Sequence, residues 1–131
     1  LSWAIIDSSI MTDLPDSWIT NKNFIILAAN CGKSSYTNVV LRDVTCDSDG
    51  CYPVQDSETK HIAIPDTSEE LYLVVVGTGA YQRLLTGDGG AHHCGVPDPK
   101  TVVITKSEGK KIVSLKSSQT TSDIMNILGY K

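Results

Sequence analysis

Short apolar runs that end at turn-forming residues dominate the hydrophobic pattern of the chain. Residues 24–29 (FIILAA), 38–44 (NVVLRDV) and 71–76 (LYLVVV) are the clearest of these runs, and a turn signal follows each of them. Runs of this length that are rich in Val, Ile and Leu and bounded by turn residues predict β-strands. A fourth short strand is expected at residues 61–64, where Pro65 ends it.

The C-terminal third has the pattern of a hairpin followed by a helix. Residues 101–105 and 111–115 flank the turn sequence SEGK, which predicts a β-hairpin. Residues 120–128 place Ile, Met and Leu behind Thr, Ser and Asp, and Gly129 comes next. This order is typical of a capped amphipathic helix with a glycine just past its end. One or two further helical turns are expected within residues 80–85.

These elements predict the fold class. Six predicted strands against one or two short helices make the chain mostly β, and its connections are too short for repeated βαβ crossovers. We therefore expect a Greek-key β-barrel or sandwich with a short C-terminal helix. The N-terminal residues 1–18 mix apolar positions with a turn-rich cluster, and no regular element is predicted there.

Length and charge narrow the function classes. The chain has 131 residues, one domain's worth of sequence, and a net charge of −4. Nucleic acids and anionic membranes attract a surplus of Lys and Arg, so neither is an expected partner. The first residue is Leu rather than Met, from which we expect a processed product or a fragment. The four cysteines are sparse, and we expect them to be reduced in a soluble, intracellular protein of the cytoplasm or plastid.

Two common ligand-binding patterns are incomplete in this sequence. The GTG that follows a strand at residues 77–79 resembles a dinucleotide-binding turn, but Gln82 stands where the third glycine belongs. The DSDG at residues 47–50 resembles the start of a calcium loop, but Thr45 and Asp56 stand where an acid and a Glu are needed.

Cysteine and histidine residues supply a third alternative. Cys46, Cys51, His92, His93 and Cys94 offer the sulfur and nitrogen ligands that zinc prefers. Their spacing is irregular for a zinc finger or ribbon, so no metal is included in the predicted site. A zinc-stabilised interaction domain nevertheless stays open as an alternative.

Three motifs that occur in order along the chain carry a more specific signal. They are LPDSW at residues 14–18, DVTCDSDG at residues 43–50 and GAYQ at residues 79–82. Together they closely resemble the C-terminal region of the biosynthetic arginine decarboxylases, which are pyridoxal-phosphate-dependent enzymes of the alanine-racemase-like, fold type III family. The resemblance covers most of the chain, from about residue 7 to the terminal helix.

The resemblance implies a division of labour between two domains. In that family a TIM-like barrel carries the lysine that binds pyridoxal phosphate, and a β-domain completes the active site across a dimer interface. Residues 1–131 resemble the β-domain only, since a barrel takes about 250 residues. The implied partners are a barrel-bearing decarboxylase chain or domain, a second copy in a dimer or higher oligomer, and a small amino-acid substrate.

The resemblance also implies roles for five residues. Cys46 would be the catalytic cysteine, because a thiol can donate a proton to the carbon that has lost CO2. Asp47 would bind the distal cation of the substrate, as a carboxylate can bind a guanidinium through two hydrogen bonds, and Asp49 would be a second acid beside it. Tyr81 would donate its hydroxyl to the cofactor phosphate, and Gly79 would keep that loop small enough to approach it.

The implied function is therefore part of a pyridoxal-phosphate-dependent decarboxylase that acts on arginine or a related basic amino acid in polyamine biosynthesis. The chain would supply the Cys-Asp half of a shared active site and would be inactive alone. The alternative is a non-catalytic regulatory or binding module derived from such an enzyme. Residues 89–95 (GGAHHCG) depart from the apolar, aromatic-containing segment usual in the family, which leaves the identity of the substrate open.

Overall fold

The fold consists mainly of strands. The computed structural model describes residues 2–54, 60–79, 82 and 93–130. The strands of this part of the chain are β1 (Ser2–Ile5), β2 (Ile25–Ala28), β3 (Tyr36–Arg42), β4 (Cys51–Tyr52), β5 (Ile62–Pro65), β6 (Leu73–Val76), β7 (Thr101–Ser107) and β8 (Lys110–Lys116). The helices are α1 (Ile10–Asp13), α2 (Pro15–Ile19) and α3 (Thr121–Ile127), and His93–Gly95 form a 3-10 turn. The predicted mostly β class is confirmed.

Strand β3 is the centre of a four-stranded sheet. On one side β1 pairs with it in parallel, with Ser2 opposite Val39. On the other side β5 and β4 pair with it one after the other, both antiparallel, with Leu41 opposite Tyr52 in the second pairing. The residues between β3 and β4 therefore form a loop at the end of the central strand.

A second, two-stranded sheet completes the sandwich. Strands β2 and β6 pair antiparallel, with Ile25 opposite Val76. The apolar core joins this ribbon, the four-stranded sheet and the two N-terminal helices, and its buried members are Ile10, Leu14, Phe24, Val39, Leu41, Tyr52 and Ile64. The described strands form separate sheets and do not close into a barrel. The sandwich alternative is therefore the one that is confirmed.

Tyr52 fastens β4 to the chain that leads into β2. Its hydroxyl donates to the Phe24 carbonyl oxygen at 2.8 Å and accepts the Phe24 N–H at 2.5 Å. The side chain is buried, and this burial raises the pKa of the phenol above its ordinary value. One side chain thus satisfies both backbone polar groups of a buried residue.

The N-terminal region is more regular than its sequence indicates. Residues 1–18 were expected to be turn-rich, whereas the structure contains β1 and the two short helices there. Ser9 caps α1 by accepting the Thr12 N–H at 3.1 Å, and Pro15 occupies the first turn of α2. Helices of four and five residues are too short to show a 3.6-residue period, so tertiary contacts stabilise them.

The C-terminal hairpin and helix agree with the prediction. Strands β7 and β8 pair along their full length, and almost all of their side chains are exposed. Thr120 and Asp123 form a reciprocal capping box at the start of α3, and Gly129 follows its end with φ 84°. The helical turns predicted within residues 80–85 lie outside the described residues, apart from Gln82. Among the described residues, no helix combines the length and apolar character needed to cross a bilayer.

Candidate functional site

The loop between β3 and β4, residues 43–50, is organised around the carboxylate of Asp43. One oxygen, Oδ1, accepts the Thr45 N–H at 2.8 Å and the Thr45 hydroxyl at 2.6 Å. The other, Oδ2, accepts the Met11 N–H of α1 at 3.3 Å. The Asp43 N–H donates to the Gly50 carbonyl oxygen at 3.0 Å, which closes the loop. Asp43 is buried, so it acts as an internal anchor for the loop. Asp43 is the first residue of the DVTCDSDG motif, and the sequence predicted no role for it.

Gly50 is required by the position of that carboxylate. A Cβ on residue 50 would lie 2.4 Å from Asp43 Oδ1 and 2.8 Å from Thr45 Oγ1. Both distances are shorter than any normal contact, so a larger residue would displace the anchor. At the rim of the loop, Arg42 donates from Nη1 to the Ser48 carbonyl oxygen at 2.8 Å. The loop is therefore held at both its centre and its edge.

The loop places Cys46 and Asp47 at the surface. Cys46 is exposed, and the Asp47 side chain is 28% exposed. Asp47 Oδ1 accepts the Asp49 N–H at 2.9 Å, which forms an Asx turn, and its Oδ2 lies 3.1 Å from His93 Nε2. Asp49 is exposed, and its backbone N–H and carbonyl oxygen both take part in the turn. Three of the five residues implied by the resemblance therefore share one hydrogen-bonded loop.

A second cysteine reaches Cys46 from the 3-10 turn. The Cys94 sulfur lies 3.5 Å from the Cys46 sulfur and accepts the Cys46 N–H at 3.5 Å. His93 Nδ1 is 3.2 Å from the same Cys94 sulfur. The hydrogen bond with Cys94, with electrostatic repulsion from that thiol next in size, raises the pKa of Cys46 above its ordinary value. The sequence grouped these two thiols only in the zinc alternative and did not predict that they contact each other without a metal.

This arrangement brings together only some of the five residues that the zinc alternative requires. Cys46, His93 and Cys94 are brought together, whereas Cys51 is buried in β4. His92 lies outside the described residues. Within the residues described, no group of three or more His, Cys, Asp and Glu side chains has the arrangement needed to hold a metal ion.

The GAYQ motif is joined to the LPDSW motif by a buried side-chain pair. Gln82 Nε2 donates to Asp16 Oδ2 at 2.8 Å, and the Asp16 N–H donates to Gln82 Oε1 at 3.3 Å. Among the described residues other than its chain neighbours, none has an atom within 4 Å of the position that a Cβ on Gly79 would take. Tyr81, the implied phosphate-binding residue, lies outside the described residues.

All three motifs therefore meet at the α1–α2 pair. The loop of the DVTCDSDG motif contacts α1 through Asp43 and Met11, and the GAYQ motif contacts α2 through Gln82 and Asp16. Two further residues of LPDSW stabilise this pair: Ser17 Oγ donates to the Leu14 carbonyl oxygen at 2.7 Å, and Trp18 Nε1 donates to the Met11 carbonyl oxygen of α1 at 3.3 Å. Segments far apart in sequence are thus positioned by one small helical unit.

A large cavity lies elsewhere in the described part of the chain. It has a volume of about 860 Å³ and opens between β1, the α1 region and the β2–β6 ribbon. Its walls are mostly apolar, with acidic groups such as Asp7, Asp13 and Glu70. Cys46, Asp47 and Gly79 do not line it, so the predicted site residues face the surface rather than this cavity.

The fold and the loop together define a β-sandwich domain that presents a thiol and a carboxylate on a fixed surface turn. The biosynthetic arginine decarboxylase of Shewanella denitrificans is 28% identical over 127 residues, and that of Bacteroides thetaiotaomicron is 29% identical over 130 residues. Arginine decarboxylase 1 of Oryza sativa subsp. japonica is 33% identical over 109 residues, which cover 79% of this chain.

These matches confirm the resemblance and set its extent. The two bacterial alignments cover 92% and 93% of the chain but only 20% of each relative. The chain thus spans about a fifth of the length of the curated relatives it matches. No protein-family model matches the chain.

A solved structure supports the fold. The crystal structure of AQ1208 from Aquifex aeolicus superposes with a TM-score of 0.70 and 17% identity. The superposition covers 96% of this chain and 28% of the other. The β-sandwich with its N-terminal helices therefore occurs as one part of a larger protein.

Proposed function

We propose that this chain is the β-domain of a pyridoxal-phosphate-dependent decarboxylase that acts on arginine or a related basic amino acid. The observation that carries the proposal is the loop at residues 43–50, which exposes Cys46 beside Asp47 while the buried Asp43 fixes it. The similarity to arginine decarboxylases over more than nine-tenths of the chain supports it. The activity would serve polyamine biosynthesis inside the cell.

Cys46 is assigned the role of proton donor. Pyridoxal phosphate, when bound, stabilises the negative charge that remains on the substrate after CO2 departs. The thiol is exposed at the surface of the domain, where a second domain or subunit can approach it. Its raised pKa keeps the sulfur protonated at neutral pH, and a group must hold its proton before it can donate it.

Asp47 is assigned to the distal cation of the substrate. One carboxylate oxygen, Oδ1, accepts the Asp49 N–H, and the other, Oδ2, lies next to His93 Nε2. A guanidinium can replace His93 at Oδ2 without breaking the Asx turn, which uses the other oxygen. In this assignment His93 therefore competes with the substrate for Asp47 Oδ2. Asp49 serves mainly to shape the turn.

The chain supplies only part of a cofactor site. Cys46 and Asp47 lie on an exposed loop and do not line the 860 Å³ cavity. The open space at Gly79 fits the close approach of a phosphate, which Tyr81 of the same motif would hold. The remaining walls, and the lysine that binds the cofactor, are assigned to a barrel-bearing chain or domain in a dimer.

A chimera tests the proposal. This chain replaces the matching fifth of the Shewanella denitrificans enzyme, and CO2 release from arginine is measured together with the visible absorbance of bound cofactor and the oligomeric mass. We expect a dimeric protein that binds cofactor and decarboxylates arginine. A folded, cofactor-bound dimer that releases no CO2 from arginine, lysine or ornithine would contradict the proposal and favour the regulatory alternative.

A further inference from the structure

The sulfur of Cys94, which has no role in the decarboxylase assignment, is the centre of a cluster of polar side chains. It accepts the Cys46 N–H, faces the Cys46 thiol at 3.5 Å and lies 3.2 Å from His93 Nδ1. The other ring nitrogen of His93 lies 3.1 Å from Asp47. The imidazole of His93 therefore contacts a thiol on one side and a carboxylate on the other, and a second thiol lies beside the first.

Position and exposure separate this pair from the other two cysteines. Cys46 and Cys94 are both exposed, whereas Cys51 is buried in the core with 1% of its surface exposed. Cys31, which follows β2 in the chain, has its sulfur near Glu69. A disulfide needs a sulfur separation of about 2.0 Å, so the two sulfurs must approach by about 1.5 Å. Small side-chain rotations on exposed loops can supply a movement of this size.

The backbone at Cys94 also favours a special role for this residue. Cys94 has φ 57° and ψ 19°, the left-handed conformation that residues with a Cβ seldom adopt. Gly95 follows with φ 68°. Such conformations persist where the surrounding structure holds them, and Cys94 contacts both Cys46 and His93.

We propose that Cys46 and Cys94 are a redox-active dithiol that reacts with a peroxide to form a reversible disulfide, with His93 as the proton acceptor. Cys94 is the attacking sulfur because His93 is in direct contact with it and gives its proton a destination. Cys46 is the resolving sulfur. Asp47 positions His93 through Nε2 and so leaves Nδ1 directed at the thiol.

The reaction balances in two steps. Cys94 loses its proton to His93, and the thiolate attacks the peroxide, so that an S–O bond forms, the O–O bond breaks and the leaving alkoxide or hydroxide takes the proton from His93. The Cys46 thiol then attacks the Cys94 sulfur, so that the S–S bond forms, the S–O bond breaks and water leaves with the Cys46 proton. Two thiols lose two electrons in total, and the peroxide is reduced to an alcohol or water.

One consequence rests on the proposed function. If Cys46 is the proton donor of a decarboxylase, the disulfide removes that proton and switches the activity off until a dithiol reduces it. Formation of the disulfide itself does not depend on that function. The two ideas can therefore fail separately, because the bond is measured by mass and the activity by CO2 release.

Peptide mass mapping tests the proposal on the 131-residue chain. Cleavage after Lys and Arg places Cys94 in residues 84–100, Cys31 in residues 23–33, and both Cys46 and Cys51 in residues 43–60. The reduced chain is treated with hydrogen peroxide, the remaining thiols are alkylated, and the peptides are analysed before and after dithiothreitol. We expect residues 43–60 and 84–100 to be joined, with the loss of two hydrogens, and to separate on reduction.

Matched variants assign the sulfurs and the base. The Cys51→Ser chain should still form the bond, which identifies Cys46 as the partner, whereas Cys46→Ser and Cys94→Ser should abolish it. Cys46→Ser should leave Cys94 as a trapped sulfenic acid, detectable with dimedone. His93→Gln should slow disulfide formation by roughly tenfold or more at neutral pH, with unchanged circular dichroism.

Four outcomes would overturn the proposal. The first is a chain in which residues 84–100 stay alkylated while other cysteines oxidise. The second is a bond that persists in Cys94→Ser, since another pair would then be responsible. The third is oxidation of Cys94 to sulfinic acid without any linkage to residues 43–60. The fourth is a peroxide-treated chimera that loses its activity without forming the Cys46–Cys94 disulfide. That result would leave the decarboxylase assignment standing and would remove the redox proposal.

Discussion

Asp16 and Gln82 hold each other by two hydrogen bonds although they are separated by 66 positions in the chain. The Gln82 amide donates to the Asp16 carboxylate, and the Asp16 backbone N–H donates to the Gln82 carbonyl oxygen. Asp16 and Gln82 are 8% and 3% exposed. The pair therefore holds Gln82 against Asp16 of α2, and so joins two of the three motifs.

Removal of the Gln82 amide should destabilise the domain. In Gln82→Ala the Asp16 carboxylate and N–H lose their buried partner, and the free energy of unfolding should fall by about 1–3 kcal/mol. Urea unfolding followed by circular dichroism measures this change. Asn23→Ala is the matched control, because it removes an amide from an exposed position. A Gln82→Ala chain as stable as the Asn23→Ala chain would show that the pair contributes nothing.

Gly50→Ala should disturb the site loop far more than another Gly→Ala change. The new Cβ would lie 2.4 Å from Asp43 Oδ1, so the anchor must move and stability should fall by about 1–3 kcal/mol. Gly32→Ala is the control, since nothing lies within 4 Å of its Cβ position and its φ is not left-handed. The two variants are compared by thermal unfolding and by the reactivity of Cys46 with a thiol reagent. Equal unfolding temperatures would contradict the role given to Asp43.

Gly79→Ala separates folding from cofactor binding. The space around the Cβ position is open, so the variant should be as stable as the parent within about 0.5 kcal/mol. In the chimera with the Shewanella denitrificans enzyme, the same change should weaken pyridoxal phosphate binding by about tenfold, because a methyl group then lies where the phosphate approaches. Titration of the chimera with cofactor measures the affinity. Unchanged affinity would remove Gly79 from the proposed site.

Tyr52→Phe tests the bond that joins β4 to the start of β2. Loss of the hydroxyl leaves the Phe24 N–H and carbonyl oxygen without their partner, and the free energy of unfolding should fall by about 1–3 kcal/mol. The pKa of Tyr52 is raised in the folded state, so the stability linked to its proton is fully present below the ordinary value of 10.0. That stability is lost as the pH rises through the folded pKa.

The pH dependence provides the second measurement for Tyr52. Between pH 9 and pH 11 the parent should lose more stability than Tyr52→Phe, as measured by urea unfolding at each pH (values set by the reference pKa of about 10). Tyr36→Phe is the control, because Tyr36 is exposed on β3. Parallel stability curves for the parent and Tyr52→Phe would contradict the assigned cause of the shift.

The sequence predicted those parts of the fold whose signals are local. The hairpin turn at residues 107–110 and the Thr120 cap are set by neighbouring residues, and the structure confirms both. The short helices α1 and α2 were missed, because four or five residues show no period and depend on contacts with distant segments. Propensity within a short window contains no information about such contacts.

The site was predicted in part for the same reason. The motif that contains Cys46 and Asp47 could be found from its resemblance to known enzymes, and its residues do lie on one loop. The contact between Cys94 and Cys46 could not be found in this way, because 48 positions separate the two residues. Only the tertiary fold brings their sulfurs to 3.5 Å. Asp43 was hidden as well, because burial and two accepted hydrogen bonds from Thr45 distinguish an anchor from an ordinary acidic residue.

The rate of arginine decarboxylation by the reduced chimera, with and without the Cys46 thiol, tests the central claim most directly. Cys46→Ala should lower kcat by about 100-fold or more while the cofactor absorbance and the dimer mass stay unchanged, since general acid catalysis contributes at least that factor. Cys31→Ala, a change outside the site loop, should leave kcat within about twofold of the parent. A folded Cys46→Ala chimera that releases CO2 and forms the normal amine product at the parent rate would contradict the claim.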